Sequence, residues 1–445
     1  MSTAEPQSWD EVRRRSLTGW LALAVRGGAG KLVALGALVV LSRTLRPEDF
    51  GAFAILQFPL GLLTLVADAG LHAALVQRPT VTPDDEAAGF TLRLLLAVAL
   101  GALTVLAAGA IGQLYHLNAA GVAALRWLAL GPALNAFGTV PGMALTRQMR
   151  FGRLAWAEFG SLVAGQGASV GLALAGAGLF SLVGGALAST LAGTLLVTLL
   201  APWRPRWRRP AGAARALLAF GLPYQAQGLA HLAKDRVIPA LGGLLLGGSV
   251  VGALAWAQDL ARWPRLPADY AARVGFPAFA RLQADPAGLS RAVNTAVGGV
   301  LWLSGGAAAA AWALAPALVG PVFGTEWAGA VLPLQVFLLQ TPLDALAAVL
   351  LPLVYAVGAA GRGLRLSALW AALTWALCLA AVALWPGAPV AIPAAYGVGT
   401  FTAVLGLLRW LPDGLKLDYA RSVARPLLFA AALGLALRWL TGVLL

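Results

Sequence analysis

Residues 214–246 read ARALLAFGLPYQAQGLAHLAKDRVIPALGGLLL. The stretch is long and apolar enough to span a bilayer, which takes about 20 mainly apolar residues. Yet Tyr224, Gln227, His231 and Lys234 fall at helical spacing on one face, with Asp235 and Arg236 adjoining. The next stretch, from Val250 to Ala278, repeats the pattern with Asp259, Arg262, Asp269 and Arg273. An ionised group near the bilayer centre costs roughly 2.5–3.5 kcal/mol even on a lenient insertion scale, so such groups face a wet cavity or a partner. Two neighbouring charged spans therefore predict a lined cavity in an apolar helical assembly.

Working outward, the whole chain has the same character. Of its 445 residues, 60% are hydrophobic and only 11% charged, with a mean hydropathy of +0.79; an ordinary soluble domain carries about a quarter charged residues. We read thirteen membrane segments, beginning near Ser16, Asp49, Ala87, Ala119, Leu154, Leu179, Ala214, Val250, Leu289, Gly329, Leu364, Val390 and Pro426. They fill the chain and leave no room for a soluble domain. Cys378 is the single cysteine; an intrachain disulfide is impossible, and its apolar setting suits a small core residue rather than a reactive thiol. The N-terminus, with Trp9, Arg13 to Arg15 and Trp20, resembles a signal peptide's basic region. The segment after it is long and contains Arg26 and Lys31, so we read an uncleaved first helix behind an interfacial basic stretch.

The net charge of +14 reports topology rather than nucleic-acid binding. With a cytoplasmic N-terminus, twenty of the 32 Lys and Arg residues fall in inside regions, and only Arg43 and Arg46 in outside loops. That asymmetry is the positive-inside bias, and it predicts a multi-pass protein of the bacterial cytoplasmic membrane with its N-terminus in the cytoplasm. The densest basic run, WRPRWRRPAGAAR over Trp203 to Arg215, reads as a cytoplasmic linker between two halves and also suits anionic lipid head groups. Sixteen Trp residues, many near segment ends, fit an aromatic belt.

Six segments on each side of that linker suggest a duplication. An offset of 201 lays Leu45–Gln57 over Leu246–Gln258, so that Gly51 meets Gly252 and Gln57 meets Gln258; Asp68 then meets Asp269. An even number of crossings makes the halves parallel. The expected layout is a six-helix bundle over 1–202, a basic linker over 203–215, a second six-helix bundle over 216–411 and an extra helix over 412–445.

The motifs LSRTLRPEDFGAFAI (Leu41–Ile55), DAGLHAALVQRP (Asp68–Pro79), LTRQMRFGRLAWAE (Leu145–Glu158), FGLPYQAQGLAHLAKDRVI (Phe220–Ile238), VGFPAFARLQAD (Val274–Asp285) and FGTEWAGAVLPLQVF (Phe323–Phe337) occur in this order over most of the chain. As a set they resemble the polysaccharide-biosynthesis branch of the multidrug/oligosaccharidyl-lipid/polysaccharide exporter superfamily, the Wzx-type flippases of lipid-linked oligosaccharides. The resemblance implies an all-α polytopic protein: two parallel-repeat bundles of six transmembrane helices in a V shape, plus about one extra C-terminal helix. It also implies alternating access and a polyprenyl-pyrophosphate-linked glycan as cargo, with other polysaccharide assembly proteins as partners. Cavity cations would receive the pyrophosphate, at Arg26, Lys31, Lys234, Arg236, Arg262 and Arg265, with Gln227 and His231 beside them. Ten basic and six acidic residues within the segments leave a positive surplus suited to an anionic cargo.

Other roles stay open for several of these residues. Asp259 and Arg262, three apart, either neutralise one another or serve the cargo. Asp68 and His72, one turn apart, form either a proton relay or a buried hydrogen-bonded pair. Glu158, Asp235, Asp259 and Asp344 are further acids placed to couple a proton or sodium gradient. No metal motif, phosphate loop or nucleophile–base pair is present, so no cofactor, metal or catalytic residue is expected. The competing classes are a drug or organic-cation exporter of the same superfamily, which calls for an acidic cavity, and a polytopic glycan polymerase or glycosyltransferase, which calls for acids or His on large outside loops.

Overall fold

Proline at the first helical position gives up an N–H that has no partner there anyway. Three long helices open this way, at Pro47, Pro83 and Pro286. The computed structural model describes residues 28–78, 80–201, 203–204, 212, 214–219, 221–222, 225, 236–283, 285–411 and 414–444. Every regular element among them is helical. Helix α1 covers 28–44, followed by α2 (Pro47–Asp68), α3 (Leu71–Gln77), α4 (Pro83–Leu114), α5 (Ala119–Leu128), α6 (Gly131–Ala136), α7 (Thr139–Arg147), α8 (Phe151–Leu174) and α9 (Leu179–Leu200). Further along come α10 (Gly248–Ala261), α11 (Leu266–Leu282), α12 (Pro286–Val300), α13 (Gly306–Leu318), α14 (Val331–Ala356), α15 (Ala360–Leu384), α16 (Ala391–Arg409) and α17 (Arg425–Leu444). One compact unit takes in residues 30–252 and a second takes in 253–445.

Among the described residues, eight helices are long and apolar enough to cross a membrane, or nine if Ala119–Ala136 and Thr139–Arg147, bent by 45°, form one span. They coincide with nine of the thirteen segments read from sequence. The fifth segment is helical as α8, but Glu158, Ser161, Gln166 and Ser169 dilute its apolar character. The eighth is broken by a 3-10 turn at Trp263–Arg265 between α10 and α11, where Pro264 and Pro267 remove backbone donors. The first and seventh extend beyond the described residues. The span Pro286–Phe323 carries two π turns, Leu301–Gly305 and Val319–Phe323.

Within the first unit, small residues allow backbones to touch. Ser161, Gly165 and Ser169 of α8 face Gly193, Ser189 and Gly185 of α9, an antiparallel run of small residues four apart on each helix. Ser161 Oγ donates to the Ser189 carbonyl at 2.9 Å. The starts of α2 and α10 cross more closely still. A Cβ on Gly51 would lie 1.7 Å from the Gly248 carbonyl oxygen, and one on Gly252 would lie 1.8 Å from the Pro47 carbonyl oxygen. Positions 47 and 248, like 51 and 252, are partners under the 201-residue offset. The contact is therefore reciprocal.

In the second unit, Trp256 stacks on Trp327 with ring centres 4.8 Å apart, and Phe323 meets Trp256 edge-on at 5.0 Å. The last helix, α17, lies on α13, where Gly434 sits against Ala309 and Gly305 against Ala430. An apolar recess of about 330 Å³ opens there, walled by Trp312, Leu338, Pro342, Leu427 and Leu435. The approach to α17 is held by Asn294 of α12. Its Nδ2 donates to the Ser290 and Lys416 carbonyls (2.8 and 2.7 Å), and its Oδ1 accepts from Asp418 N and Ser422 Oγ (2.7 and 2.9 Å). Replacing Asn294 with Leu removes all four bonds while keeping the volume. At about 0.5–1.5 kcal/mol each, reduced by partial exposure, the expected loss is about 2 kcal/mol of local stability. Limited proteolysis in the 414–418 segment should then accelerate more than about tenfold; an unchanged rate would show that the apolar contact of α17 alone holds this region.

Candidate functional site

The first unit encloses a polar cavity beside a break in a helix. Ala69 (φ 44°) and Gly70 (φ 69°) both take the left-handed conformation, ending α2 at Asp68 and starting α3 at Leu71. Gly70 has a second reason to lack a side chain, because a Cβ there would lie 2.2 Å from the Gly221 carbonyl oxygen. The break aims Asp68 sideways into the bundle. Its carboxylate meets Arg93 of α4, Nη1 to Oδ1 at 2.8 Å, and the same guanidinium gives Nη2 to Asn135 Oδ1 of α6 at 2.8 Å. Arg93 stands ten residues beyond Pro83, about 15 Å along the helix axis, which is half the thickness of a hydrocarbon core. Its side chain is 10% exposed.

This ion pair borders a cavity of about 460 Å³ whose walls also include His72, Thr139, Glu158, Ser161 and Thr194. His72 is within hydrogen-bonding reach of the Thr139 backbone and feels the charges of both Asp68 and Arg93. The Thr139 hydroxyl is buried, with the residue 3% exposed, and has no hydrogen-bond partner. Three residues expected to couple an ion, Asp68, His72 and Glu158, thus line one cavity.

The ends of these helices are tied by local chemistry. Thr82 and Asp85 form a capping box at the start of α4, Thr82 Oγ1 accepting from Asp85 N at 3.2 Å and Asp85 Oδ2 accepting from Thr82 N at 3.1 Å. Arg78 closes on Asp85 Oδ1 at 2.6 Å. Arg147, last residue of α7, spends its guanidinium on the carbonyls ending α3, those of Leu75 (3.2 Å), Val76 (3.0 Å) and Arg78. Trp203 Nε1 donates to Glu86 at 3.2 Å, and its ring meets Phe90 edge-on.

The structure corrects one reading and sorts the others. Asp68 and His72 are not one turn apart on a continuous helix: the left-handed pair intervenes, and the partner of Asp68 is Arg93. Arg93 received no role from the sequence, although it is the only ionised side chain between Glu86 and Arg126, the signal by which an intramembrane charge announces itself. Asn135 and Thr139 carried no comparable signal. On the eighth segment, Arg262 pairs with Asp259 at 3.0 Å and Arg265 with Asp269 at 3.3 Å. Asp259 and Arg262 thus form the pair that their spacing allows. Lys31 is exposed on α1, and Arg236 and Asp344 are partly buried. Arg26, Gln227, His231, Lys234 and Asp235 lie outside the described residues, and with them two of the six cations expected to receive the cargo.

The family described as polysaccharide biosynthesis protein matches residues 40–332. The succinoglycan biosynthesis transport protein ExoT of Rhizobium meliloti (strain 1021) is 28% identical over 314 residues, 70% of this chain and 62% of that protein. The chain thus spans less than two thirds of that relative's length. Among solved structures, the lipid II flippase MurJ in an inward closed conformation aligns over 94% of this chain and 97% of its own, with a TM-score of 0.73 and 12% identity. An inward-facing multidrug resistance MATE family transporter of the MOP superfamily aligns over 92% and 95%, with a TM-score of 0.62 and 17% identity. The fold is the one these flippases and transporters share, and with a match over residues 40–332 the chain belongs to the polysaccharide biosynthesis protein family.

Proposed function

We propose that this protein is a flippase that moves a polyprenyl-pyrophosphate-linked oligosaccharide from the cytoplasmic to the outer leaflet by alternating access, for surface or exopolysaccharide synthesis. The observation that carries the reading is the family match combined with a fold likeness to a lipid II flippase over nearly the whole chain. The chemistry of the segments supports it. A pyrophosphate is costly to carry through hydrocarbon, and a surplus of intramembrane Arg and Lys offsets that cost. Arg26, Lys31, Lys234, Arg236, Arg262 and Arg265 are the cations proposed to serve it, with Gln227 and His231 beside them. The basic asymmetry of the loops supports an N-terminus in the cytoplasm of a bacterial inner membrane. Other polysaccharide assembly proteins supply the substrate and consume the product.

The likeness to multidrug transporters and the two carboxylates in the first unit's cavity favour one alternative, export of an organic cation. One reconstitution separates the two. The full chain in liposomes, loaded with a fluorescent polyprenyl-pyrophosphate-linked glycan, should make the glycan accessible to a membrane-impermeant quencher faster than protein-free liposomes. Movement of a cationic dye with no movement of the glycan lipid would replace the flippase reading with the exporter.

A further inference from the structure

The second unit carries three arginines that no nearby carboxylate balances. Helices α15 and α16 pack side by side; Leu366 meets Gly406 and Thr374 meets Gly399, so the two run antiparallel. That register brings the start of α15, with Arg362 and Arg365, to the end of α16, with Arg409. All three arginines are exposed, and among the described residues none of their guanidinium groups makes a hydrogen bond or an ion pair. The sequence holds no Asp or Glu from Ala345 to Pro412, and Asp418 further on pairs with Arg421 at 3.8 Å. Two neutral groups adjoin the charges. Trp410, 40% exposed, is a residue type that settles among lipid head groups. Tyr355, near the end of α14, lays its ring on Gly363, where a Cβ would lie 2.8 Å from Cζ, and so brings a phenol beside Arg362.

A second observation concerns the surface below the charges. On α15 the exposed side chains continue from Arg362 and Arg365 to Leu369 and Leu373, and on α16 they continue from Arg409 back to Leu405, Phe401 and Val398. Steps of three and four keep each set on one helix face. Each stripe runs about 16 Å along its helix axis, half the thickness of a hydrocarbon core of about 30 Å. Positive charge at one end and an apolar face one leaflet deep is the complement of a lipid with an acidic head.

We propose that this end of the α15–α16 hairpin binds an anionic phospholipid, with the phosphate held by Arg362, Arg365 and Arg409 and the acyl chains lying on the two stripes. Guanidinium groups match phosphate oxygens with paired N–H donors. A zwitterionic lipid carries its own cation beside the phosphate, which three uncompensated guanidinium groups repel, so the site selects net negative charge. An arginine that only anchors a helix end by snorkelling needs no neighbour; here three from two helices stand at one end without an acid among them. The bound lipid offsets their mutual repulsion and holds this end of the hairpin together. In the orientation proposed above the site faces the cytoplasmic leaflet, while the binding itself does not depend on the flippase reading.

The test titrates phosphatidylglycerol or phosphatidylcholine into the delipidated full-length protein in mild detergent and counts bound lipid by native mass spectrometry. The expected result is one phosphatidylglycerol bound well ahead of any phosphatidylcholine. Each basic residue near an anionic lipid contributes about fivefold in affinity, so replacing Arg362, Arg365 and Arg409 together with Gln should weaken phosphatidylglycerol binding by about a hundredfold. The same three charges removed elsewhere, at the exposed Arg126, Arg150 and Arg291, should leave it nearly unchanged. Equal losses in the two triple variants would reveal a general charge effect and overturn the site, as would equal affinity of the parent for the two phospholipids. If the first triple variant yields no folded protein, Arg409→Gln alone decides: binding about fivefold weaker supports the site, and unchanged binding overturns it. Competition with a polyprenyl pyrophosphate separates a resident lipid from cargo. Phosphatidylglycerol that stays bound in its presence supports the proposal, and displacement at equal concentration assigns the patch to cargo instead. Failure of glycan-lipid movement in liposomes would remove the flippase reading and leave this binding result standing.

Discussion

Replacing Arg93 with methionine destabilises the protein by about 3 kcal/mol or more, and removing the charge of Asp68 at the same time restores most of the loss. The reason is the asymmetry between breaking and deleting a buried ion pair. With Arg93 gone, the Asp68 carboxylate, 22% exposed, has lost its only opposite charge within contact among the described residues, and Asn135 Oδ1 has lost its donor. Breaking one side of such a pair costs about 3–5 kcal/mol, whereas replacing both partners by neutral groups is often close to neutral. Arg93→Met should therefore melt well below the parent in detergent, and Asp68→Asn with Arg93→Met should melt nearer to it. Arg93→Lys should fall between, since one ammonium cannot reach Asp68 and Asn135 with the spread of a guanidinium fork. The measurement is the fraction of monodisperse protein surviving a temperature ramp, with the double-mutant cycle giving the coupling energy. A single mutant no worse than the double would mean that the cavity solvates these charges and that the pair carries no stability.

The membrane segments were legible because hydropathy needs only composition over about 20 residues, and the eight spans among the described residues, with the bent pair Ala119–Ala136 and Thr139–Arg147, fall on segments read that way. What escaped depends on local backbone or on distance along the chain. The break after Asp68 uses Ala69 in a left-handed conformation, which a non-glycine residue seldom adopts, so DAGLH reads as unbroken helix. The Asp68–Arg93 pair joins residues 25 apart across a helix–loop–helix turn, where helical spacing says nothing about contact. Asp259 with Arg262 was legible as a pair because spacing of three on one helix does say something. The two π turns in the span from Pro286 to Phe323 left no pattern in the residues. The offset of 201 was weak evidence among so many Gly, Ala and Leu residues, and the reciprocal glycine crossing gives it a physical counterpart at positions 47, 51, 248 and 252.

That crossing is also where the smallest substitution has the largest steric effect. Gly51→Ala places a Cβ 1.7 Å from the Gly248 carbonyl oxygen, a distance that real Cβ atoms essentially never show, since contacts under 3.0 Å force a shift. The obstacle is backbone, so no rotamer change relieves it, and the starts of α2 and α10 must move apart by more than an ångström. Overpacking costs about 1–3 kcal/mol even where side chains can give; with backbone on both sides the expected loss is at or above the top of that range, and Gly51→Leu should prevent recovery of folded protein. Gly252→Ala meets the Pro47 carbonyl at 1.8 Å and should cost about the same as Gly51→Ala by reciprocity. Both substitutions push the same crossing open, so the double alanine variant should lose clearly less than the sum of the singles. Gly109→Ala and Gly167→Ala serve as controls: nothing lies within 4 Å of a Cβ at either position, and alanine gains up to about 1 kcal/mol over glycine within a helix. Equal melting temperatures for Gly51→Ala and Gly109→Ala would show that α2 and α10 do not meet at this point. Additive losses in the double variant would show that the two glycines serve separate contacts rather than one shared crossing.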